Sequence, residues 1–181
     1  THILPSELQG TLGNVWNTHV LGNTKFFRTD DQLIVIEGDS VHIIQAENKF
    51  QRTVKVGDEL WVVDAKVGIS IYDEGILRPL RRVQALNANG VCAVLPYINN
   101  HHLVITSDDG LYIAGKEYDN PAPFATQYRD LLIESRVFCA AMLSDDRFAV
   151  GTYKAGVLIF DKRGMLIQKI SRREGLLSED L

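Results

Sequence analysis

Residues Arg147–Gly164 read RFAVGTYKAGVLIFDKRG, which is the pattern of a β-hairpin punctuated by glycine. The segment predicts two short strands, RFAVGTY and VLIFD, joined by a tight Lys-Ala-Gly turn. A second turn, Asp-Lys-Arg-Gly, leads into a third strand, MLIQKI. The glycines stand where a hairpin needs a positive φ, which a residue with a Cβ adopts only at an energetic cost. The segment therefore predicts consecutive antiparallel strands.

The same pattern occurs twice more, as ELWVVDAKVGISIYDEG at Glu59–Gly75 and HLVITSDDGLYIAG at His102–Gly115. We aligned the three hairpins on their first apolar residues, Trp61, Leu103 and Phe148, which are separated by 42 and 45 residues. An internal period of roughly 40–50 residues is typical of the four-stranded blades of β-propellers. The sequence therefore predicts an all-β fold, a partial β-propeller of about three to four blades of four-stranded antiparallel sheet.

The predicted blades divide a single propeller fragment that covers residues 1–181. Blade-like units are predicted at approximately residues 15–48, 49–86, 90–134 and 136–173, and residues 174–181 are predicted to start a next blade. Aligned on Leu33, the first unit precedes Trp61 by only 28 residues, so either it lacks a strand or its alignment is shifted.

Two further segments are predicted to be outer strands. They are RPLRRVQAL at Arg78–Leu86 and YRDLLIES at Tyr128–Ser135, the second of which would close the third unit. The segment between Lys116 and Ala125 contains two prolines and is predicted to be a loop. No amphipathic helix of useful length is expected anywhere in the chain.

The composition of the 181 residues is that of an ordinary globular protein, with 45% hydrophobic and 23% charged residues. The net charge of -4 argues against a nucleic-acid partner, since phosphate binding favours a basic surface. No apolar run is long enough to span a bilayer, and the first residues, THILPSELQG, are not those of a signal peptide. Because they also lack an initiator Met, we expect the chain to be a piece of a longer protein.

The two cysteines, Cys92 and Cys139, each lie in an apolar, strand-like run. Such cysteines usually behave as small buried hydrophobic residues, so we expect two buried thiols. A disulfide or a shared metal is the alternative, although no CxxC motif or Cys/His cluster supports it.

The hairpin at Arg147–Gly164, which we call the organising hairpin, resembles the repeat of the two-component regulator propeller family. The positions that match are Phe148, Val150, Gly151, Thr152, Gly156, Val157, Phe160, Asp161 and residues 175–178, and reduced forms occur at Gly68–Asp73 and Gly110–Ile113. Phe148 stands where this repeat usually has Trp. The resemblance covers residues 50–181 and is poor before them.

The resemblance implies a function outside the cytoplasm. In that family the propellers form the periplasmic or extracytoplasmic sensor region of bacterial hybrid histidine kinases, often responding to glycans. We therefore expect a ligand-sensing fragment of a two-component system, without catalysis in this segment, whose parent is membrane-anchored. Its expected partners are an oligosaccharide and either further propeller blades or another copy of the chain.

The candidate ligand-binding residues lie on the loops between second and third strands, which project from one face of a propeller. These loops are 64–67, 106–109 and 153–155, and the candidates are Lys66, Asp108, Asp109, Tyr153 and Lys154. An aromatic ring beside charged groups could stack on a sugar and bond its hydroxyls. The alternative is an ordinary solvated turn surface.

Other chemistries find little support in the sequence. Ser107-Asp108-Asp109-Gly110 offers oxygen ligands but lacks EF-hand spacing, and a hairpin turn explains it without a metal. We expect no catalytic residue, metal or cofactor. The alternative functions are a propeller enzyme acting on glycans, a lyase or hydrolase, which would need convergent carboxylate, His or Tyr side chains, and a scaffold propeller that binds a protein.

Overall fold

A computed structural model describes residues 13–64, 66–80, 90–115, 121–144 and 146–178 of the chain. Within these ranges the protein is all-β, with four four-stranded antiparallel sheets and a short α-helix. The chain divides into two compact units, unit 1 at Thr1–Arg81 and unit 2 at Arg82–Leu181. None of the described helices is long and apolar enough to cross a membrane.

Each sheet is a meander in which strands adjacent in sequence are neighbours. In unit 1, sheet 1 contains β1 Asn17–Leu21, β2 Thr24–Arg28, β3 Gln32–Glu37 and β4 Ser40–Gln45, and sheet 2 contains β5 Phe50–Val56, β6 Glu59–Asp64, β7 Gly68–Asp73 and β8 Ile76–Pro79. In unit 2, sheet 3 contains β9 Val91–Pro96, β10 His102–Thr106, β11 Leu111–Ala114 and β12 Ala122–Pro123, and sheet 4 contains β13 Val137–Ser144, β14 Arg147–Thr152, β15 Gly156–Asp161 and β16 Leu166–Ile170.

The organising hairpin has the predicted structure. β14 pairs with β15 from Arg147↔Asp161 to Thr152↔Gly156, and β15 pairs in turn with β16. Gly156 has a φ of 71°, the left-handed conformation that the turn requires.

The alignment of the first unit on Leu33 was shifted by one strand. Trp61, Leu103 and Phe148 lie on β6, β10 and β14, each the second strand of its sheet, whereas Leu33 lies on β3, the third strand of sheet 1. The short interval before Trp61 therefore reflects the wrong strand and not a missing one. The apolar pattern does not distinguish the two strands, because β3 is buried along most of its length, as the second strand β6 of sheet 2 is.

The last strand of sheet 3 was also predicted wrongly. Arg129–Ser135 forms the helix α1, and the sheet is closed by the two-residue strand β12, within the segment predicted to be a loop. Leu and Glu are good helix formers, and Asp130 in the first turn complements the helix dipole. Pro123 is tolerated in β12 because an edge strand does not need every N–H.

Two other predictions are modified by the structure. Cys92 is buried as expected, but Cys139 is exposed, because it lies on a face of β13 that no described residue covers. Cys92 and Cys139 are not joined by a disulfide bond. The predicted outer strand at Arg78–Leu86 is shorter and begins earlier, as β8, and residues 81–89 lie outside the described part of the chain.

Each unit has its own hydrophobic core. In unit 1 the core consists of Phe26, Leu33, Val35, Phe50, Leu60 and Val62. In unit 2 a larger core joins sheets 3 and 4 and includes Leu103, Ile105, Phe148, Leu158 and Phe160. It also includes Phe124 and Leu132, which come from the connection between the two sheets.

Candidate functional site

A buried side chain at the end of each second strand organises the turn that follows it. The Thr106 hydroxyl donates to the Gly110 carbonyl (2.6 Å) and accepts from the Asp109 N–H (3.2 Å). The Thr152 hydroxyl likewise donates to the Gly156 carbonyl (2.9 Å) and accepts from the Ala155 N–H (2.9 Å). These bonds satisfy backbone groups that the tight turn removes from the β-ladder.

The turns of unit 1 are also capped by a buried oxygen, which is a carboxylate oxygen in sheet 2 and a hydroxyl in sheet 1. Asp64 Oδ1 accepts from the N–H groups of Lys66 (2.7 Å) and Val67 (3.0 Å). In sheet 1 the Thr29 hydroxyl accepts from the Gln32 N–H (2.9 Å). In all four sheets the buried oxygen therefore accepts a hydrogen bond from the N–H of the residue three positions later. This repeated hydrogen bond begins at Thr29 in sheet 1, whereas the three hairpins aligned in the sequence begin with sheet 2.

The turns also hold the first strand of the following sheet in the same unit. Phe50, the first residue of β5, donates its N–H to the Asp30 carbonyl (2.7 Å). Val137, the first residue of β13, donates to the Ser107 carbonyl (2.9 Å). Both acceptors directly follow the capping threonine, so the turn face is part of the contact between neighbouring sheets.

Tyr153 lies in an aromatic and cationic cluster on the turn after β14. Its ring meets Phe138 edge to face with centroids 5.2 Å apart, and the Arg136 guanidinium carbon lies 6.0 Å from its centroid. Its N–H donates to the Arg136 carbonyl (3.0 Å). Tyr153 and Phe138 are 36% and 39% exposed, which leaves part of each ring open to solvent. A partly exposed ring beside a cation is a suitable stacking surface.

Asp109 is held by two neighbours on the adjacent turn of unit 2. Its Oδ2 accepts from the Tyr112 hydroxyl (2.8 Å), and its Oδ1 lies 3.6 Å from a guanidinium nitrogen of Arg129. Burial raises the pKa of Tyr112, and the hydrogen bond to Asp109 raises it further. The Asp109 carboxylate is thus engaged within the protein, and this restricts its freedom to bind a ligand.

The five predicted candidates are divided between the two units. Asp108, Asp109, Tyr153 and Lys154 belong to unit 2, where their two turns flank the Arg136–Val137 junction through the hydrogen bonds just described. Lys66 belongs to unit 1, where its ammonium lies 3.1 Å from Glu47. Lys154 is exposed. The described structure therefore brings the candidates of unit 2 to neighbouring turns and places Lys66 in a different setting.

Sequence reasoning missed the residues that frame Tyr153. Arg136 follows helix α1 and has a φ of 52°, an uncommon value for a residue other than glycine. Phe138 lies in the same apolar, strand-like run as Cys139, VFCAAML, whose composition gives no sign that Phe138 is exposed. No local sequence signal places these residues beside a turn 15 positions later; the pairing of β13 with β14 does so.

The described residues contain no group of three or more His, Cys, Asp or Glu side chains placed to hold a metal ion. Asp108 and Asp109 belong to a capped hairpin turn, as the turn interpretation expects. Tyr153, Phe138 and Arg136 form a partly exposed aromatic and cationic surface.

Comparison with solved structures identifies the fold as a β-propeller. The chain matches the extracellular domain of BT3049 from B. thetaiotaomicron, which is assigned to the hybrid two-component systems, with a TM-score of 0.70 and 20% identity over 92% of this chain and 23% of that one. It matches the WD40 β-propeller domain of Doa1 with a TM-score of 0.56 and 15% identity, over 86% of this chain and 52% of that one. It also matches the computationally designed Ika8 protein with a TM-score of 0.56 and 13% identity, over 85% of this chain and 48% of that one.

The chain thus spans about half or less of the length of these solved chains. No protein-family model and no curated protein matches it.

Proposed function

We propose that this chain is part of an extracytoplasmic, ligand-sensing β-propeller of a two-component system, and that it has no catalytic activity of its own. The observation that carries the proposal is the similarity to the BT3049 extracellular domain over 92% of the chain. The hairpin repeat that resembles the two-component regulator propellers supports it independently, because that repeat was identified from residues alone.

The ligand that the turn surface suits best is an oligosaccharide. Tyr153 offers an aromatic face, Arg136 offers a guanidinium beside that ring, and the neighbouring Lys154 is exposed. Sugars are bound by stacking on aromatic rings together with hydrogen bonds to their hydroxyl groups. In this proposal, ligand binding favours one packing of the propeller in the sensor over another, and the parent protein transmits the difference to a kinase.

The proposal is tested by measuring oligosaccharide binding to the 181-residue chain on a glycan array, followed by calorimetry on each hit. We expect Tyr153→Ala to weaken binding about tenfold or more, which corresponds to about 1.4 kcal/mol. Tyr153→Phe keeps the stacking face and is expected to bind within about threefold of the wild type.

Three results would count against the proposal. Failure of every oligosaccharide to bind contradicts the glycan class. Unchanged affinity in Tyr153→Ala removes the turn surface from the site. New reducing ends released from a bound glycan would favour the alternative of a propeller enzyme.

A further inference from the structure

Unit 1 contains a cavity of about 310 Å³ between sheet 1 and sheet 2. Its lining comes from both sheets, and the apolar residues in it are Ile44, Phe50, Val62, Val67, Ile76, Leu77 and Pro79. Val67 and Ile76 are 40% and 50% exposed, so the cavity has an open side. We call it the wedge cavity.

The corresponding space in unit 2 is filled by the protein itself. The connection between β12 and β13, residues 124–136, runs between sheets 3 and 4 and includes α1. Phe124 donates its N–H to the Leu111 carbonyl of sheet 3 (2.8 Å), and the Tyr128 ring contacts Phe160 of sheet 4 at a centroid distance of 5.9 Å. Leu132, four residues after Tyr128, is 1% exposed in the shared core.

Two equivalent glycines show that the spaces correspond. Gly75 and Gly164 both lie in the turn between the third and fourth strands of the second sheet in their unit, with φ of 90° and 81°. A Cβ on Gly164 would lie 2.6 Å from the Ala125 carbonyl oxygen and 2.9 Å from the Phe124 ring. A Cβ on Gly75, which lines the wedge cavity, would meet no atom of the described residues within 4 Å.

The length of the connection explains the difference. Only residues 46–49 join β4 to β5, whereas residues 124–136 join β12 to β13. Four residues cross from one sheet to the next but cannot also fill the space between them. Unit 1 therefore exposes an apolar surface that its counterpart in unit 2 buries.

The polar groups of the wedge cavity favour an apolar occupant. The Asp64 carboxylate accepts three backbone N–H groups, from Lys66 and Val67 at Oδ1 and from Glu47 at Oδ2. Glu47 is paired with Lys66. These carboxylates are used by the protein's own turns, so the gain available to an occupant comes from apolar burial.

We propose that the wedge cavity binds a helical segment of a partner protein that presents two bulky apolar side chains four residues apart. Side chains at i and i+4 lie on the same face of a helix. In unit 2, Tyr128 is the residue directly before α1, and the N–H of Leu132, which lies within α1, donates to the Tyr128 carbonyl (3.0 Å). Insertion of such a face into an apolar groove is a common mode of peptide recognition. The partner segment would supply to unit 1 what the connection at 124–136 supplies to unit 2.

The test uses the full 181-residue chain and a fluorescein-labelled peptide with the sequence of residues 123–136, PFATQYRDLLIESR, in a fluorescence anisotropy titration. We expect saturable binding. Val67→Trp and, separately, Ile76→Trp place an indole at the open side of the cavity and are expected to weaken binding about tenfold or more. The same peptide with Ala at the positions of Tyr128 and Leu132 is expected not to bind.

Ile43→Trp is the matched control, because Ile43 is an exposed β-branched residue of β4 that does not line the cavity. The affinity of Ile43→Trp for the peptide should equal that of the wild type. Unchanged melting temperatures establish that the variants are folded.

Three outcomes would overturn the proposal. One is the absence of binding at about 1 mM peptide. Another is binding that both tryptophan variants leave unchanged, which would place the peptide elsewhere, including the filled space of unit 2. The third is that the cavity binds a small apolar dye, and Val67→Trp weakens the binding of the dye, but the cavity does not bind the peptide.

Discussion

At the scale of single residues, the turns of all four sheets depend on one buried oxygen each. Thr106 and Thr152 are fully buried, and Asp64 and Thr29 are nearly so. A buried turn without such an oxygen would leave backbone N–H groups without an acceptor, and each such group is expensive to bury. The recurrence of this device explains why a polar residue is retained at the end of an otherwise apolar strand.

The first prediction concerns this capping hydroxyl. Thr152→Val keeps the shape of the side chain but leaves the Ala155 N–H without its acceptor, so we expect the free energy of unfolding to fall by about 1–3 kcal/mol. Urea denaturation followed by fluorescence measures this. Thr18→Val, on the exposed side of β1, should change stability by less than about 0.5 kcal/mol. Equal losses in the two variants would contradict the capping role.

The second prediction concerns the pH dependence of stability. Burial lowers the pKa of His19, and the charges of Lys55 and Arg28 lower it further against a hydrogen bond to Thr53. The folded protein then binds fewer protons than the unfolded chain, so His19 reduces the free energy of unfolding as the pH falls from about 7 through the ordinary histidine value of about 6.5.

Denaturation at a series of pH values tests this. His19→Gln is expected to lose less stability than the wild type on acidification from about pH 7 to about pH 5.5. Thr18→Val, at an exposed position of the same strand, should follow the wild type. A His19→Gln curve parallel to that of the wild type would exclude His19 as a source of the pH dependence.

At the scale of elements, the connection at residues 124–136, which includes α1, packs between sheet 3 and sheet 4. Leu132 and Phe124 enter the core of unit 2, and Thr126 donates a hydrogen bond to the Gly164 carbonyl (2.7 Å). The segment therefore joins sheet 3 to sheet 4 in addition to connecting them in sequence. This role explains why a helix is present where a fourth strand was predicted.

The third prediction tests the contribution of α1. Leu132→Ala removes a side chain that is almost completely buried, and losses of about 2–5 kcal/mol are typical of such truncations. Leu177→Ala is the control, since Leu177 is 98% exposed and should change stability by less than about 0.5 kcal/mol. Chemical denaturation measures both. A loss below about 1 kcal/mol in Leu132→Ala would mean that α1 is dispensable for packing.

At the scale of the whole molecule, two equivalent first strands differ in their exposure. Apolar residues of β9 are buried, and β13 packs beside β9. On β13 itself, Leu143 is 55% exposed, and Phe138 is 39% exposed although its ring contacts Tyr153. An apolar face of this kind favours association with another sheet.

The fourth prediction is that this face mediates self-association of the isolated chain, since another copy of the chain is one of the expected partners. We expect sedimentation velocity to show an average mass that rises with protein concentration, and Leu143→Lys to reduce the rise, because a buried lysine would be desolvated without a partner. Met165→Lys, at an exposed position between β15 and β16, should behave as the wild type. A monomer at all concentrations would mean that the face is left for further blades or remains solvated.

The strands and turns of this protein were largely determined by its sequence alone, because their causes are local. A Cβ restricts φ at turns, side chains alternate along strands, and a capping oxygen reaches an N–H three residues away, so GTYKAGV predicts a hairpin in any context. Segment Tyr128–Ser135 lacked such a local signal, because a short apolar run suits either a strand or a buried helix.

Only the tertiary structure decided what lies between the sheets. It placed Arg136 and Phe138 beside Tyr153, exposed Cys139, filled the space in unit 2 with α1 and left the wedge cavity in unit 1. These features depend on contacts between residues distant in sequence and on the lengths of the connections. Those contacts form only when whole sheets pack together, and therefore no short stretch of the chain encodes them.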